Sequence, residues 1–279
     1  MGKKTYKNIT VKPIAGSLGA EILDVDLKKL NEETFSEIYS AFVDYQVIFF
    51  REQSLTSDEY LAFGKRWGEI HHYPYMKGLD SHPEILEILK TENDTYAFGN
   101  VWHSDGSFTE IPPKATMLYS LEIPPAGGDT LFSNMYEAYN TLSDGMKKTL
   151  LSTRGLNVGD QPLASFSGAK SMNQKDPGKT QVRTYHPAVR THPDSKKKSL
   201  YVGGHTIELE SFTKNESTPI LNYLKNHAII PEFTCRFTWR EGSIAIWDNR
   251  CTQHYAIDDY AGHRRRMHRI TIMGEESPY

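Results

Sequence analysis

The stretch Trp102-His103-Ser104-Asp105-Gly106-Ser107-Phe108 gives the first indication of the fold and of its chemistry. In an extended strand, side chains two residues apart point to the same face, so the sequence predicts that His103 and Asp105 converge. An imidazole nitrogen and a carboxylate oxygen together suit a divalent metal. The same spacing is also typical of a hydrogen-bonded surface pair. A metal site therefore requires a further ligand elsewhere in the chain.

The composition is that of an ordinary globular protein. With 279 residues the chain is long enough for one large domain or two small ones, and its net charge of −3 gives no indication of a nucleic-acid or membrane-surface protein. Sixteen Tyr, twelve Phe and four Trp favour strands and an aromatic-lined pocket. Cys235 and Cys251 are the only cysteines, and neither a secretory signal nor a membrane span is evident. We expect a cytoplasmic protein.

Periodicity predicts many short strands with a few helices between them. The predicted helices are 31–45, 56–67, 135–151 and 216–227. The predicted strands are 9–11, 20–22, 47–50, 85–89, 115–120, 129–132, 200–202, 232–239, 243–248 and 268–273. This order favours a mixed α+β, mainly β fold, with an antiparallel barrel or jelly roll and inserted and flanking helices.

No change of composition marks a domain boundary, so we expect a single domain over residues 1–279. Residues 155–198 are polar and lack periodicity. An irregular stretch of this length is usually a functional lid or a disordered insertion. We predict an active-site lid there, and a surface insertion is the alternative.

A second histidine and a basic segment near the C-terminus extend the possible metal site. His254 follows a strand and a turn, and a lone histidine at such a place is more often a packed residue than a ligand. Arg265 and Arg269 follow in a basic run, His263 to Arg269. Two guanidiniums near a metal would suit two anionic groups, because the planar fork binds carboxylates and sulfonates bidentately. A solvated basic face and a nucleic-acid patch are the alternatives, and the charge balance disfavours the latter.

Four segments in the same order resemble the TauD/TfdA family of Fe(II)- and 2-oxoglutarate-dependent dioxygenases. They are Trp102–Phe108, Gly127-Gly128-Asp129-Thr130-Leu131, the segment Trp247-Asp248-Asn249-Arg250 through His254-Tyr255, and Arg264–Arg269. The resemblance runs from about residue 10 to the end of the chain. It implies a double-stranded β-helix, or jelly-roll, core.

The resemblance also implies an iron site. His103, Asp105 and His254 would be the Fe(II) ligands, which leaves positions for the co-substrates 2-oxoglutarate and O₂. Decarboxylation of 2-oxoglutarate to succinate and CO₂ would then be coupled to hydroxylation of the substrate. Residues 155–198, as a lid, would shield that chemistry from water.

The remaining matched residues would bind the organic molecules. Thr130 and Arg265 would hold the distal carboxylate of 2-oxoglutarate, and Arg269 would bind the acidic group of the primary substrate. Tyr73, Met76 and Gly99 stand where taurine dioxygenase has a histidine, a tyrosine and an asparagine that contact its substrate.

This departure disfavours taurine and favours a larger or more apolar anion. An alkyl or aryl sulfonate, an alkyl sulfate ester or an aryloxyalkanoate would each fit. His205, in the Gly203-Gly204-His205 turn, is a further candidate for the substrate pocket, with Tyr73 and Gly99.

The alternative class of function is a metal-binding jelly roll that acts as a sensor or storage protein without turnover. The presence of both Thr130 and Arg265 favours an enzyme, because a protein that only holds metal does not require a clamp for a 2-oxo acid. We expect the partner to be a small anionic organic substrate, with no nucleic acid and no membrane. The resemblance further implies a homo-oligomer, either a dimer or a tetramer.

Overall fold

Two facing, mainly antiparallel sheets form the centre of the protein. The structure, a computed structural model, describes residues 5–72, 76–159 and 182–279. The strands are β1 Thr10–Pro13, β2 Ala20–Leu23, β3 Val47–Phe50, β4 Leu86–Lys90, β5 Ala115–Glu122, β6 Thr130–Asn134, β7 Arg154–Val158, β8 Arg183–Pro187, β9 Val189–Thr191, β10 Lys198–Leu200, β11 Thr206–Leu209, β12 Thr234–Phe237, β13 Ile244–Asp248, β14 Thr252–Ala256 and β15 Arg265–Ile272. The helices are α1 Glu32–Tyr45, α2 Ser57–Lys65, α3 Met135–Asn140, α4 Asp144–Leu151 and α5 Lys214–Ala228.

Ten of the strands form a large and a small sheet, and the other five form the further sheets β11-β7-β8 and β10-β9. The large sheet has the order β1-β2-β3-β13-β5-β15-β4, and the small one has the order β12-β6-β14. Neighbouring strands in both sheets are antiparallel except β2 and β3, which are parallel. The chain passes from the large sheet to the small one between β13 and β14. This is the jelly roll, flanked by helices, that the sequence predicts.

Aromatic side chains fill the space between the two sheets. Phe49 of the large sheet stacks on Phe237 of the small sheet, with ring centroids 4.0 Å apart. Phe49 also contacts Phe132 of β6 edge-on, at 5.7 Å. Because side chains alternate along a strand, Ile48 and Phe50 of β3 point to the opposite face of the large sheet. This explains why residues 47–50 are a continuous apolar run.

Helices α1 and α2 cover that opposite face. Phe42 of α1 and Tyr60 of α2 are fully buried in the same cluster as the outward side chains of the large sheet. The start of α2 is fixed by a capping box, in which Thr56 and Glu59 exchange side-chain and backbone hydrogen bonds. The large sheet is therefore apolar on both faces.

Two secondary-structure predictions are wrong. The helix predicted over 135–151 is two helices, because Ser143 caps α4 and ends the continuity at residues 141–143. The irregular stretch predicted over 155–198 begins in β7 and also contains β8 and β9. Residues 160–181, the middle of the predicted lid, lie outside the described residues, and the lid stays a prediction. Within the described ranges, no helix has the length and apolar character needed to cross a bilayer.

Candidate metal centre

Two predicted ligands, His103 and His254, lie side by side on adjacent chain segments. The backbone N–H of His103 donates to the carbonyl of His254 at 3.1 Å, and the N–H of His254 donates to the carbonyl of His103 at 2.9 Å. Through this reciprocal bridge, His103 pairs with β14 along the edge of the small sheet that β6 does not occupy. The imidazole ring centroids are 4.2 Å apart. Both rings are therefore positioned by main-chain hydrogen bonds.

Asp105 completes the group, by a route that differs from the predicted strand. His103 is an isolated bridge residue and Asp105 lies in a turn, so the two side chains converge without sharing a strand face. Asp105 Oδ1 is 3.5 Å from His103 Nε2 and 3.9 Å from His254 Nε2. All three side chains are buried, and their ligand atoms lie within 4.8 Å of one another. Two imidazole nitrogens and one carboxylate oxygen that converge in this way are the donor set typical of non-haem Fe(II).

The protonation states suit metal binding. His103 Nδ1 is 2.7 Å from the carbonyl of Val101, so Nδ1 carries the hydrogen and Nε2 offers its lone pair. Burial and the nearby His103 hold the pKa of His254 well below its ordinary value, so that imidazole is neutral. Burial would raise the pKa of Asp105, but Arg269 and the two histidines outweigh it, and the pKa lies well below its ordinary value. The site therefore presents the neutral imidazole of His254, Nε2 of His103 and one carboxylate.

The residues predicted to hold 2-oxoglutarate are connected by one indole ring. Trp239 Nε1 donates a hydrogen bond of 3.0 Å to Thr130 Oγ1. The guanidinium carbon of Arg265 lies 5.7 Å from the centroid of the Trp239 ring. Because the Thr130 hydroxyl accepts from the indole, its own hydrogen is not used in that bond. Trp239, which the sequence did not single out, orients both residues.

Arg265 is a buried cation. Arg265 is 5% exposed, and burial lowers the pKa of its guanidinium. Within the described part of the chain, no carboxylate forms an ion pair with it and its Nε makes no hydrogen bond. Gly128 approaches the side chain so closely that a Cβ there would lie 3.3 Å from Arg265 Cδ. A buried guanidinium of this kind is suited to an anionic ligand.

Arg269, predicted to bind the substrate anion, lies beside the metal site. Its Nη2 is 2.9 Å from Asp105 Oδ1, the same oxygen that faces the two histidines. Both side chains are less than a tenth exposed, so the contact is largely screened from water. A guanidinium has five N–H donors, which is enough for this carboxylate and a second anion.

The predicted substrate residues are only partly placed by the structure. Tyr73 lies outside the described residues. Gly99 has φ +89°, and a Cβ at this position would be 3.7 Å from His103 Cε1, so the glycine leaves space beside a ligand. His205 contacts His103 edge-on with ring centroids 5.8 Å apart, and burial lowers its pKa to about 4. Met76 is buried in the core between the two sheets.

Local packing explains how His205 reaches the site. The N–H of Gly204 donates to the carbonyl of Trp102 at 3.0 Å. A Cβ on Gly204 would lie 2.6 Å from that oxygen, so only glycine allows this approach. Phe108 also contacts the His205 ring, with centroids 5.0 Å apart. The glycine turn thus places a neutral imidazole next to His103.

Sequence reasoning missed two residues behind Asp105. Thr116 of β5 donates from Oγ1 to Asp105 Oδ2 at 2.7 Å, and Asn249 accepts from the Asp105 N–H at 3.3 Å. Asn249 lies within a matched segment, but a buried threonine on a strand gives no signal of its own. Their effect on the site becomes apparent only when the strands are assembled.

A second group of metal-binding side chains occurs among the described residues. His192, Asp248 and Cys251 are all buried and close together. Asp248, however, already accepts hydrogen bonds from Arg250 Nε at 2.8 Å, Arg250 Nη2 at 2.7 Å and His192 Nε2 at 2.9 Å. With its carboxylate saturated, this cluster is an ion-pair network that fixes the turn after β13.

Comparison with known proteins identifies the family of the chain. The sequence model of the family described as "Taurine catabolism dioxygenase TauD, TfdA family" matches residues 10–271. An alpha-ketoglutarate-dependent sulfate ester dioxygenase of Pseudomonas putida is 33% identical over 274 residues, covering 96% of this chain and 90% of the relative. An alkylsulfatase of Acinetobacter baylyi is 32% identical, covering 96% and 86%. Alpha-ketoglutarate is another name for 2-oxoglutarate.

Solved structures agree with these relatives. A taurine dioxygenase from Burkholderia xenovorans superposes with a TM-score of 0.84 at 34% identity, covering 96% of this chain and 90% of the other. AAD-2, solved in complex with Mn(II) and N-oxalylglycine, gives a TM-score of 0.79 at 27% identity, with 97% and 99% covered. The match extends over nearly the whole chain. The chain belongs to the TauD/TfdA family of Fe(II)- and 2-oxoglutarate-dependent dioxygenases.

Proposed function

We propose that this protein hydroxylates a small anionic organic substrate at the carbon next to a heteroatom, with a sulfate ester as the leading class. The observation that carries the proposal is the buried group of His103, Asp105 and His254 with Arg269 against the same carboxylate. The two relatives described above are named for sulfate esters. A sulfonate or an aryloxyalkanoate would satisfy the same arginine.

In this proposal His103 and His254 bind Fe(II) through Nε2, and Asp105 binds it through Oδ1. The Val101 carbonyl supports the assignment, because it fixes the tautomer of His103. Bound iron, with 2-oxoglutarate and O₂, supplies the oxidation, in which 2-oxoglutarate becomes succinate and CO₂. The protein supplies three ligands and keeps them in a largely dry site.

Arg265 and Thr130 are proposed to hold the distal carboxylate of 2-oxoglutarate. The guanidinium offers two parallel N–H donors, and the Thr130 hydroxyl adds a third donor. The indole of Trp239 supports this role, because it donates to Thr130 and so directs the hydroxyl hydrogen away from itself. Burial makes each of these contacts stronger than it would be in water.

Arg269 is proposed to bind the sulfate or other acidic group of the primary substrate. Its position beside Asp105 would place that group close to the metal, and the carbon attached to it within reach of oxidation. For an alkyl sulfate, hydroxylation of the carbon that bears the ester oxygen gives an unstable hemiacetal sulfate. Its collapse releases inorganic sulfate and an aldehyde.

Gly99 and His205 are proposed to shape the side of the pocket next to His103, and Tyr73 to contribute to the same pocket. The space beside Gly99 and the neutral character of His205 support a substrate larger and less polar than taurine. Neither residue adds a charge that a second acidic or basic group of the substrate would need.

The test is succinate formation from 2-oxoglutarate, with Fe(II) and O₂, across alkyl sulfate esters, sulfonates and aryloxyalkanoates. We expect stimulation by alkyl sulfate esters with stoichiometric release of sulfate. Stimulation by another class would replace the substrate assignment and leave the reaction class intact. Absence of succinate with every anion, in protein that binds iron, would favour the alternative of a non-catalytic metal-binding protein.

The cellular context is also part of the proposal. Cys235 and Cys251 are both buried and unpaired as thiols, which supports a reducing compartment such as the cytoplasm. We further propose a homo-oligomer, either a dimer or a tetramer, which size-exclusion chromatography with light scattering would test.

A further inference from the structure

A closed ring of hydrogen bonds lies behind the metal-binding carboxylate. The Asp105 N–H donates to Asn249 Oδ1 at 3.3 Å, Asn249 Nδ2 donates to Thr116 Oγ1 at 3.0 Å, and Thr116 Oγ1 donates to Asp105 Oδ2 at 2.7 Å. Thr116 is 0% exposed, Asn249 1% and Asp105 4%. The ring therefore joins the backbone of Asp105 to its own side chain without water.

The direction of each hydrogen bond in this ring is determined by its chemistry. An amide NH₂ group can only donate, so the Thr116 hydroxyl accepts from Asn249. The single hydroxyl hydrogen must then be donated to Asp105 Oδ2. The orientation of the Asn249 amide is set independently, because its oxygen is the atom that faces the Asp105 N–H.

The ring makes the two oxygens of Asp105 unequal. Oδ2 is occupied by Thr116, whereas Oδ1 faces Nε2 of His103 and of His254 at 3.5 and 3.9 Å. Arg269 Nη2 also contacts Oδ1, and a carboxylate oxygen has a second lone pair for a metal. A carboxylate that turned to offer both oxygens would break the bond from Thr116 and fill one more coordination position.

We infer that Thr116 and Asn249 are positioning residues that keep Asp105 a one-oxygen ligand and thereby preserve the coordination positions that 2-oxoglutarate and O₂ require. The inference rests on the proposed function, because it takes His103, Asp105 and His254 as the ligands.

Both residues are held rigidly enough for this role. Thr116 is in β5, hydrogen-bonded between β13 and β15, where it pairs with Trp247 and Thr271. The N–H of Asn249 donates to the carbonyl of Lys114 at 3.0 Å. The preceding residue, Asp248, is locked by the ion pair with Arg250 described above. The ring is therefore anchored at the start of β5 and directly after the end of β13, two central strands of the large sheet.

The test compares Thr116→Val, which keeps the shape and removes the hydroxyl, with Thr116→Ser, which keeps the hydroxyl. Each purified protein is loaded with Co(II), whose visible absorption reports the number of its ligands, and titrated anaerobically with 2-oxoglutarate. We expect Thr116→Val to bind Co(II) with an altered spectrum and about 10- to 100-fold more weakly, the range typical of lost partners of metal ligands. We also expect it to bind 2-oxoglutarate more weakly than the wild type. Thr116→Ser should restore the wild-type spectrum and affinity.

A second readout separates positioning from simple stability. In the Fe(II) enzyme we expect Thr116→Val to form more succinate per hydroxylated product, whereas a purely structural role would lower only the melting temperature. Thr116→Ala, which cannot overfill the site, is measured in parallel and decides the question if Thr116→Val does not fold. The inference would be overturned if Thr116→Val and Thr116→Ala both had the wild-type Co(II) spectrum, 2-oxoglutarate affinity and ratio of succinate to hydroxylated product. Failure of the wild-type protein to bind Co(II) would instead overturn the proposed function.

Discussion

Replacement of Arg265 by methionine tests the proposed 2-oxoglutarate clamp. Methionine has a similar length and fills most of the same space, so the change removes the charge without opening a large cavity. The guanidinium is 5% exposed and has no carboxylate partner among the described residues. The effect of the change on 2-oxoglutarate binding can therefore be measured separately from its effect on the stability of the fold.

The expected loss of affinity follows from the burial. Removing one partner of a desolvated, hydrogen-bonded charge pair costs about 2–5 kcal/mol. At about 1.4 kcal/mol for each factor of ten, the dissociation constant of 2-oxoglutarate should rise roughly 30-fold to a few thousand-fold. The melting temperature of the protein without ligands should change little, because the burial penalty on the Arg265 charge opposes the contacts that are lost with Tyr260 and Asp129.

The assay is an anaerobic titration of the Fe(II) protein with 2-oxoglutarate, followed by the charge-transfer absorption that chelation of the metal produces. Arg264→Met is the matched control, because Arg264 is the preceding residue but lies at the surface, where Nε pairs with Glu122 at 2.9 Å. An unchanged dissociation constant in Arg265→Met would refute the clamp. If Arg269→Met weakened 2-oxoglutarate binding equally, the separate roles proposed for the two arginines would be wrong.

Three other outcomes can be checked directly. Trp239→Phe keeps a ring beside Arg265 but removes the N–H that orients Thr130, so we expect about tenfold weaker 2-oxoglutarate binding with unchanged iron binding; equal affinities in a titration would contradict this. Gly99→Asn should reduce turnover of bulky substrates more than of short ones, since a side chain would enter the space next to His103, and an unchanged ratio of kcat/KM values would show that this space is not used. Burial raises the pKa of Cys235 to about 12 and that of Cys251 well above its ordinary value, so neither thiol should react with iodoacetamide at pH 8 in the folded protein, and labelling detected by mass spectrometry before unfolding would contradict the burial.

Local sequence patterns predicted most of the fold because its strands are short and strongly apolar. Residues 47–50 and 243–248 are recognisable without tertiary information, and both lie in the middle of the large sheet. The break at Ser143 was missed because an amphipathic pattern continues across it, although Ser143 and Asp144 together form a helix start. The strands at each end of 155–198 were missed because their residues are polar, and their pairing with each other and with β11 supplies the order.

The candidate site was predicted less completely, for a physical reason. The residues His103, Asp105 and His254 do come together, but a turn and a backbone bridge, not a strand, place them. Thr116 and Asn249 contact Asp105, and Trp239 contacts Thr130 and Arg265, from other segments of the chain. Contacts of this kind have no local sequence pattern. Their roles depend on pairings between segments far apart in sequence.

The reciprocal backbone bridge between His103 and His254 has a consequence for the exchange of iron with the solution. Their imidazoles are held by main-chain bonds of 2.9 and 3.1 Å, and Asp105 by its own ring, so the ligands are ordered when the chain folds. Little conformational entropy remains to be lost when the ion enters. Iron removed by a chelator should therefore return in a single fast step without refolding, and the rate of reloading should depend on how quickly the ion reaches the pocket.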